Sequence, residues 1–271
     1  MNDTSSKKSS KLQLVIARLA TSYKLITAVL EDIDILNSYF DLSTSEYEIL
    51  ENHLTLHGYS ISIAAQLLEE KRWNELLSTI KYTNDVLGLS NTEDMWTKYL
   101  HNIDLSQLIP QSPLIESINF LSFVANKSLV VDQNHLDIIE YELKRNKTML
   151  YVFDRLPHDV ISDISLFKKA IHKIVVNPSL VAFIPRNQGT HKYVFSKIFK
   201  KDNVDTDTII CFYKNRTTLK THRIFISSKL YVKITSLGPF QNMVKCSNNE
   251  DDLLKYLYEN NLIHFEEVYQ C

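Results

Sequence analysis

An α+β protein is expected from this sequence, with a helical N-terminal half followed by a mixed, basic C-terminal half that contains a β-hairpin. Three observations predict it. Apolar residues recur three or four apart through roughly the first 155 positions, the spacing of helices with one buried face. Beyond Pro157 they give way to short runs rich in β-branched and aromatic residues. At 271 residues the chain also exceeds the usual size of one domain, so two are expected.

The elements follow in order. Residues 1–11, polar and carrying Lys7, Lys8 and Lys11, read as a disordered tail. Leu12, Val15, Ile16, Leu19, Tyr23, Ile26, Leu30 and Ile33 form one face of a long amphipathic helix reaching about Phe40. Ser43 or Thr44 caps a second helix, which Gly58 is placed to end. A hairpin-like pair of helical runs then spans 61–68 and 73–87, closed by Gly88. A short helix bears Met95, Trp96 and Leu100 before the Pro110 to Pro113 stretch interrupts helix, because proline lacks an amide donor and restricts its predecessor. Ser112 and Pro113 start the next helix, and Asp132 caps the last long one, 136–153.

In the second half, residues 174–184 read as a strand broken by Pro178, and 208–213 with 219–226 as a hairpin. Residues 230–234 fit a strand or one helical turn equally. A helix with Glu250, Asp251 and Asp252 in its first turn follows, and 262–268 reads as a closing strand. The expected domains are therefore 12–157, helical, and 158–271, mixed α/β.

Composition narrows the function. Four glycines leave no room for the phosphate-cradling spacings of Rossmann or P-loop proteins. Cys211, Cys246 and Cys271 form no C-x-x-C pair, which argues against a disulfide framework or structural zinc. His53 and His57 share a helical face, but Leu54 stands where a zinc protease has its glutamate, so no metal site is expected. Glu140 and Glu142 flank Tyr141 and point apart, isolating no general acid. The segment 12–30 is interrupted by Arg18, Tyr23 and Lys24, unlike a signal peptide or a membrane span, and a cytoplasmic protein is expected. A binding protein without catalytic machinery fits best.

Charge locates the binding half. Residues 168–233 hold fourteen lysines and arginines against three acids, a local charge of +11 in a chain whose total is −2. Such a block attracts an acidic peptide, a nucleic acid or an acidic protein surface, or simply complements the acidic remainder of the chain. Tyr193, Phe199, Phe212, Tyr213 and Phe225 lie among these cations as base-stacking platforms would, or as strand core.

Two segments resemble a known family. Trp96-x-x-Tyr99-Leu100, then Leu114-Ile115-x-x-Ile118-x-Phe120-Leu121, then Leu136-x-x-Ile139-x-Tyr141-Glu142-x-x-Arg145-Asn146 is similar to the helical domain of partner proteins of multinuclear non-haem iron oxidative enzymes in ribosomal peptide natural-product biosynthesis. Val175-Val176-Asn177-Pro178-Ser179-Leu180, the run Arg223-Ile224-Phe225-Ile226-Ser227 and the helix Asp251-Asp252-Leu253-Leu254-Lys255-Tyr256-Leu257 are similar to their C-terminal half, which has a winged-helix-like leader-recognition region. Asn177 stands where that family commonly has His.

The resemblance implies a non-catalytic subunit, paired with an iron-dependent oxidase, that binds a precursor peptide and presents it for modification at cysteine or neighbouring residues. The iron would belong to the partner enzyme, with no cofactor in this chain. The leader would add as a strand beside the hairpin, and the candidate contacts are Lys214, Leu219, Lys220, Arg223, Ile224, Phe225, Ile226, Leu254 and Tyr258. The alternative is a nucleic-acid-binding or regulatory protein using the basic half.

Overall fold

The computed structural model describes residues 3–103, 112–127, 129–153, 172–201, 204–236, 241–242 and 248–267. Across these residues it is a mixed α+β protein, mostly helical, with two small antiparallel sheets. The chain divides into two compact units, residues 1–84 with 88–120 and residues 85–87 with 121–271. The division cuts two helices, between residues 84 and 85 and between residues 120 and 121. The boundary at 157/158 expected from composition lies outside the described residues.

The first unit opens with α1 (Asp3–Thr21), α2 (Tyr23–Glu31) and α3 (Ile35–Tyr39). Helix α1 begins at Asp3 and so takes in most of the segment expected as a tail, whose polar run carries no apolar period to announce a helix. The single helix expected over 11–40 is broken at Ser22, whose Oγ accepts a hydrogen bond from the Leu25 amide, and the two arms meet at 105°. No single helix among the described residues is long and apolar enough to cross a membrane.

The bend lets Val15 and Leu19 of α1 meet Leu25, Ile26 and Val29 of α2 over α4 (Thr44–Thr79). Leu50, Leu54 and Ala65 of α4 complete that core. Helix α4 starts as expected at Ser43, whose backbone amide donates to the Glu46 carboxylate at 2.9 Å. It does not stop at Gly58. That glycine is buried inside the 36-residue helix, where an added Cβ would meet Leu30 Cδ2 at 2.5 Å. Its opposite face carries an exposed apolar row, Ile49, Leu56, Tyr59, Ile63 and Leu67.

Helices α5 (Lys81–Leu87) and α6 (Leu89–Asn102) are separated by Gly88, whose φ of 81° suits glycine alone at low cost. Trp96 and Tyr99 of α6 pack with Trp73 and with Phe120 of α7 (Pro113–Asn126), the two indoles lying 5.8 Å apart. Beside them Arg72 donates two hydrogen bonds to the Glu116 carboxylate at 2.9 and 2.8 Å, and the Tyr99 hydroxyl donates a third at 3.0 Å. Arg72 also stacks over Trp96. A buried carboxylate is tolerable only when satisfied in this way.

The second unit contains α8 (Gln133–Leu150), capped as expected by the Asp132 side chain on the Asn134 amide, then β1 (His172–Val176), β2 (Val181–Phe183) and α9 (Gln188–Phe199). The expected hairpin is β3 (Thr208–Lys214) with β4 (Thr221–Ser227). The remaining elements are α10 (Ser228–Ser236), β5 (Gln241–Asn242), α11 (Asn248–Glu259) and β6 (Ile263–Glu267). The run 230–234, which fits strand or helix equally by spacing, is helical. Pro178 parts β1 and β2 so fully that they join different sheets, ordered β5-β1-β6 and β2-β3-β4.

Candidate functional site

Strand β3 is buried on both faces, and its alternation defines two cores. Ile209, Cys211 and Tyr213 face a cluster built with Ile226 of β4, Ile234 of α10, Leu254 and Leu257 of α11, and Ile263 of β6. Phe212 faces the other way, against Tyr141 of α8, whose ring also packs edge-on to Phe183 and Phe199. The period of two along a strand produces this division.

The hairpin's cations are drawn into these cores to different degrees. Arg223 lies with its guanidinium 4.4 Å from the Phe199 ring centre and 5.6 Å from that of Phe225, and it donates to the Tyr141 hydroxyl at 3.4 Å. Stacked in this way, the charge stays wet while the stem covers aromatic surface. Lys214 extends its ammonium to the carbonyls of Met149 and Tyr151 at 3.1 and 2.8 Å, capping the end of α8 where the helix dipole is negative. Lys201 sits over Phe225 at 5.3 Å. Lys220, by contrast, is exposed in the hairpin loop.

The nine peptide-contact candidates therefore separate into three groups. Ile224, Ile226, Leu254 and Tyr258 belong to one hydrophobic cluster, where hairpin and α11 meet each other rather than bordering an open groove. Lys214, Arg223 and Phe225 make the contacts just described. Leu219, with φ 56°, and Lys220 project from the loop, in which Asn215 Oδ1 accepts from the Thr217 and Thr218 amides. The edge of β4 remains. This strand pairs with β3 from Thr221 to Ser227 and with no other strand among the described residues.

Two constellations escaped the sequence reading. Asn177 is buried and ties three segments together, donating to the carbonyls of Lys214 and Asn261 at 3.0 and 2.8 Å and accepting from the Ser179 amide at 3.0 Å. The strand break at Pro178 was visible, but the distant partners of Asn177 were not. Asp137, fully buried on α8, accepts from both the backbone amide and the guanidinium of Arg186, which also approaches Glu140 at 3.3 Å. Nothing local in the sequence pairs residues 49 positions apart.

In the first unit a groove of about 630 Å³ is lined by Trp73, Trp96, Glu69, Glu70, Glu93 and His101. Burial raises the Glu69 carboxyl, and Arg72 opposes that shift. The His53 and His57 rings lie side by side, tilted at 51°, with their centres 4.8 Å apart. No group of three metal-ligating side chains occurs among the described residues. Cys211 is buried, and its thiol is pushed up to about 12 by desolvation, which opposes a nucleophilic role. Cys246 and Cys271 lie outside the described residues.

The chain matches no protein-family model and no curated protein sequence.

Proposed function

We propose that the chain is a non-catalytic binding subunit whose second unit takes an extended, acidic stretch of a precursor peptide along β4. The observation that carries this reading is the side of that strand, seven residues long, that has no partner strand among the described residues, within the most basic part of the chain. An open edge offers backbone donors and acceptors to an incoming strand, and nearby cations bias the choice toward acidic sequences. Lys220 and Lys229, exposed at either end of β4, are the steering charges. The resemblance to partner proteins of multinuclear iron oxidases supplies the second half of the reading: the peptide is presented to such an enzyme, which holds the iron.

The nucleic-acid alternative draws less support. Phe212 and Tyr213 are buried, and Phe199 and Phe225 pack against Phe195 and Arg223, so these rings are engaged in the fold rather than free to stack on bases.

Amide hydrogen exchange of the full chain with an acidic precursor peptide tests the first half, with slowed exchange across 221–227 as the expected result. Lys220→Glu should weaken binding about tenfold at low salt, and the difference should shrink as salt rises. Peptide binding that leaves β4 exchange unchanged, or tighter retention of random RNA than of the peptide, defeats the reading. Affinity purification with a co-expressed iron oxidase tests the second half, and the absence of a complex defeats it.

A further inference from the structure

We propose that the exposed apolar row of α4 is the surface through which two copies of this chain form a symmetric dimer. The row lies wholly within the first unit, so it stands independently of the peptide reading at β4.

The row is spaced as a seam between helices. Ile49, Leu56 and Ile63 stand seven residues apart, and Tyr59 and Leu67 follow the last two by three and four. Apolar residues at that alternation keep one stripe of a helix turned toward a neighbouring helix. The stripe runs for about 27 Å along the axis. Its side chains range from 42% exposed at Ile63 to 78% at Tyr59. They are not surplus to the core of the first unit, because α4 already turns Leu50, Leu54 and Ala65 toward α1 and α2 on its other face.

The rim of the row selects the occupant. No Asp, Glu, Lys or Arg occurs from Asn52 to Leu68, and the exposed residues beside the row there are Asn52, Thr55, His57, Ser60, Ala64 and Gln66. Charge resumes only at the ends, with Glu48 and Glu51 before and Glu69, Glu70 and Lys71 after. The outward face of a surface helix is ordinarily charged, so a neutral one of this length is unusual. A two-fold axis sets the patch against its own copy, where a rim of one sign would repel itself and a neutral rim does not. A strongly charged partner would find nothing along the centre of the row to complement. The area agrees: covering the exposed parts of the five side chains removes roughly 600 Å² from each copy, about 1,200 Å² in the pair, which reaches the lower bound of a specific interface. An apolar patch of that size is at the upper end of what monomeric proteins leave in water.

The test is sedimentation velocity of the full chain over about 1–100 μM, where small interfaces dissociate. Wild type should pass from one chain to two as concentration rises and stop there, because a two-fold contact closes on itself. Leu56→Glu puts a charge in the middle of the row at an exposed position, and should weaken association at least tenfold. Tyr59→Ser adds no charge and should act in the same direction, whereas Lys81→Glu, exposed outside the row, should leave the dimer unchanged. Circular dichroism checks that Leu56→Glu keeps its helices, and Tyr59→Ser carries the test if it does not. Flotation with phosphatidylcholine vesicles forms a second arm. A chain that stays monomeric throughout, that grows beyond two copies, or that dimerises equally well with Leu56→Glu and Tyr59→Ser in place overturns the proposal. So does flotation of wild type with vesicles that Leu56→Glu abolishes, since a lipid surface is then the occupant.

Discussion

Arg72 and Glu116 are 8% and 2% exposed, so each neutralises a charge that water no longer reaches. Glu116→Leu should therefore cost about 3 kcal/mol, because it strands a buried guanidinium, whereas the double variant Arg72→Met/Glu116→Leu should lose much less. Urea unfolding of the two single variants and the double variant closes that cycle. Cys211 gives a pH dependence. Its thiol rises from 9.0 to about 12 in the fold, so between those values the native state keeps a proton that the unfolded chain releases. The resulting stabilisation is full below pH 9 and is lost as pH climbs toward 12, and the urea midpoint should fall more steeply over this interval for wild type than for Cys211→Ala. None of these partnerships was legible in the sequence. Glu116 and Arg72 are separated by 44 positions, and a lone cysteine among β-branched residues reveals only that it is apolar enough to be buried.

The elements themselves were more legible, since capping residues and apolar periods act locally. Asp132, Ser43 and Gly88 mark the boundaries that they were expected to mark, and the hairpin lies within two residues of its expected limits. Helix α4 was misread because a glycine after an apolar turn looks like a stop, and because apolar residues on two opposite faces blur the period. The two glycines now part company. Gly88→Ala should cost about 1 kcal/mol, since φ 81° strains any Cβ, while Gly58→Ala should be nearly neutral. In the second case the gain in helix propensity is set against displacing the flexible, half-exposed Leu30 tip. Thermal melts of both variants check the contrast. The ambiguity over 230–234 was real: Leu230 and Ile234 satisfy both periods, and packing against β3 and β4 decides for helix.

On the scale of the whole molecule, the charge asymmetry was readable from composition, whereas the place where the two compact units divide leaves no compositional mark. Composition changes where strands begin, whereas α8, helical and leucine-rich like the first half, packs with α9, β2 and β3 in the second unit. Two cores predict a calorimetric enthalpy larger than the van't Hoff value, with Glu116→Leu and Arg186→Ala shifting different parts of the heat-absorption peak. A single two-state peak shifted as a whole by either substitution contradicts this.

The positions of Trp73 and Trp96 carry a spectroscopic consequence. They are the chain's two tryptophans, they lie against each other, and both belong to the first unit. Emission excited at the red edge of indole absorption, where tyrosine is dark, will report melting of the helical core that holds Arg72 and Glu116. It will be blind to the second unit, which holds β4 and α9, so an unfolding curve recorded that way describes one half of the protein.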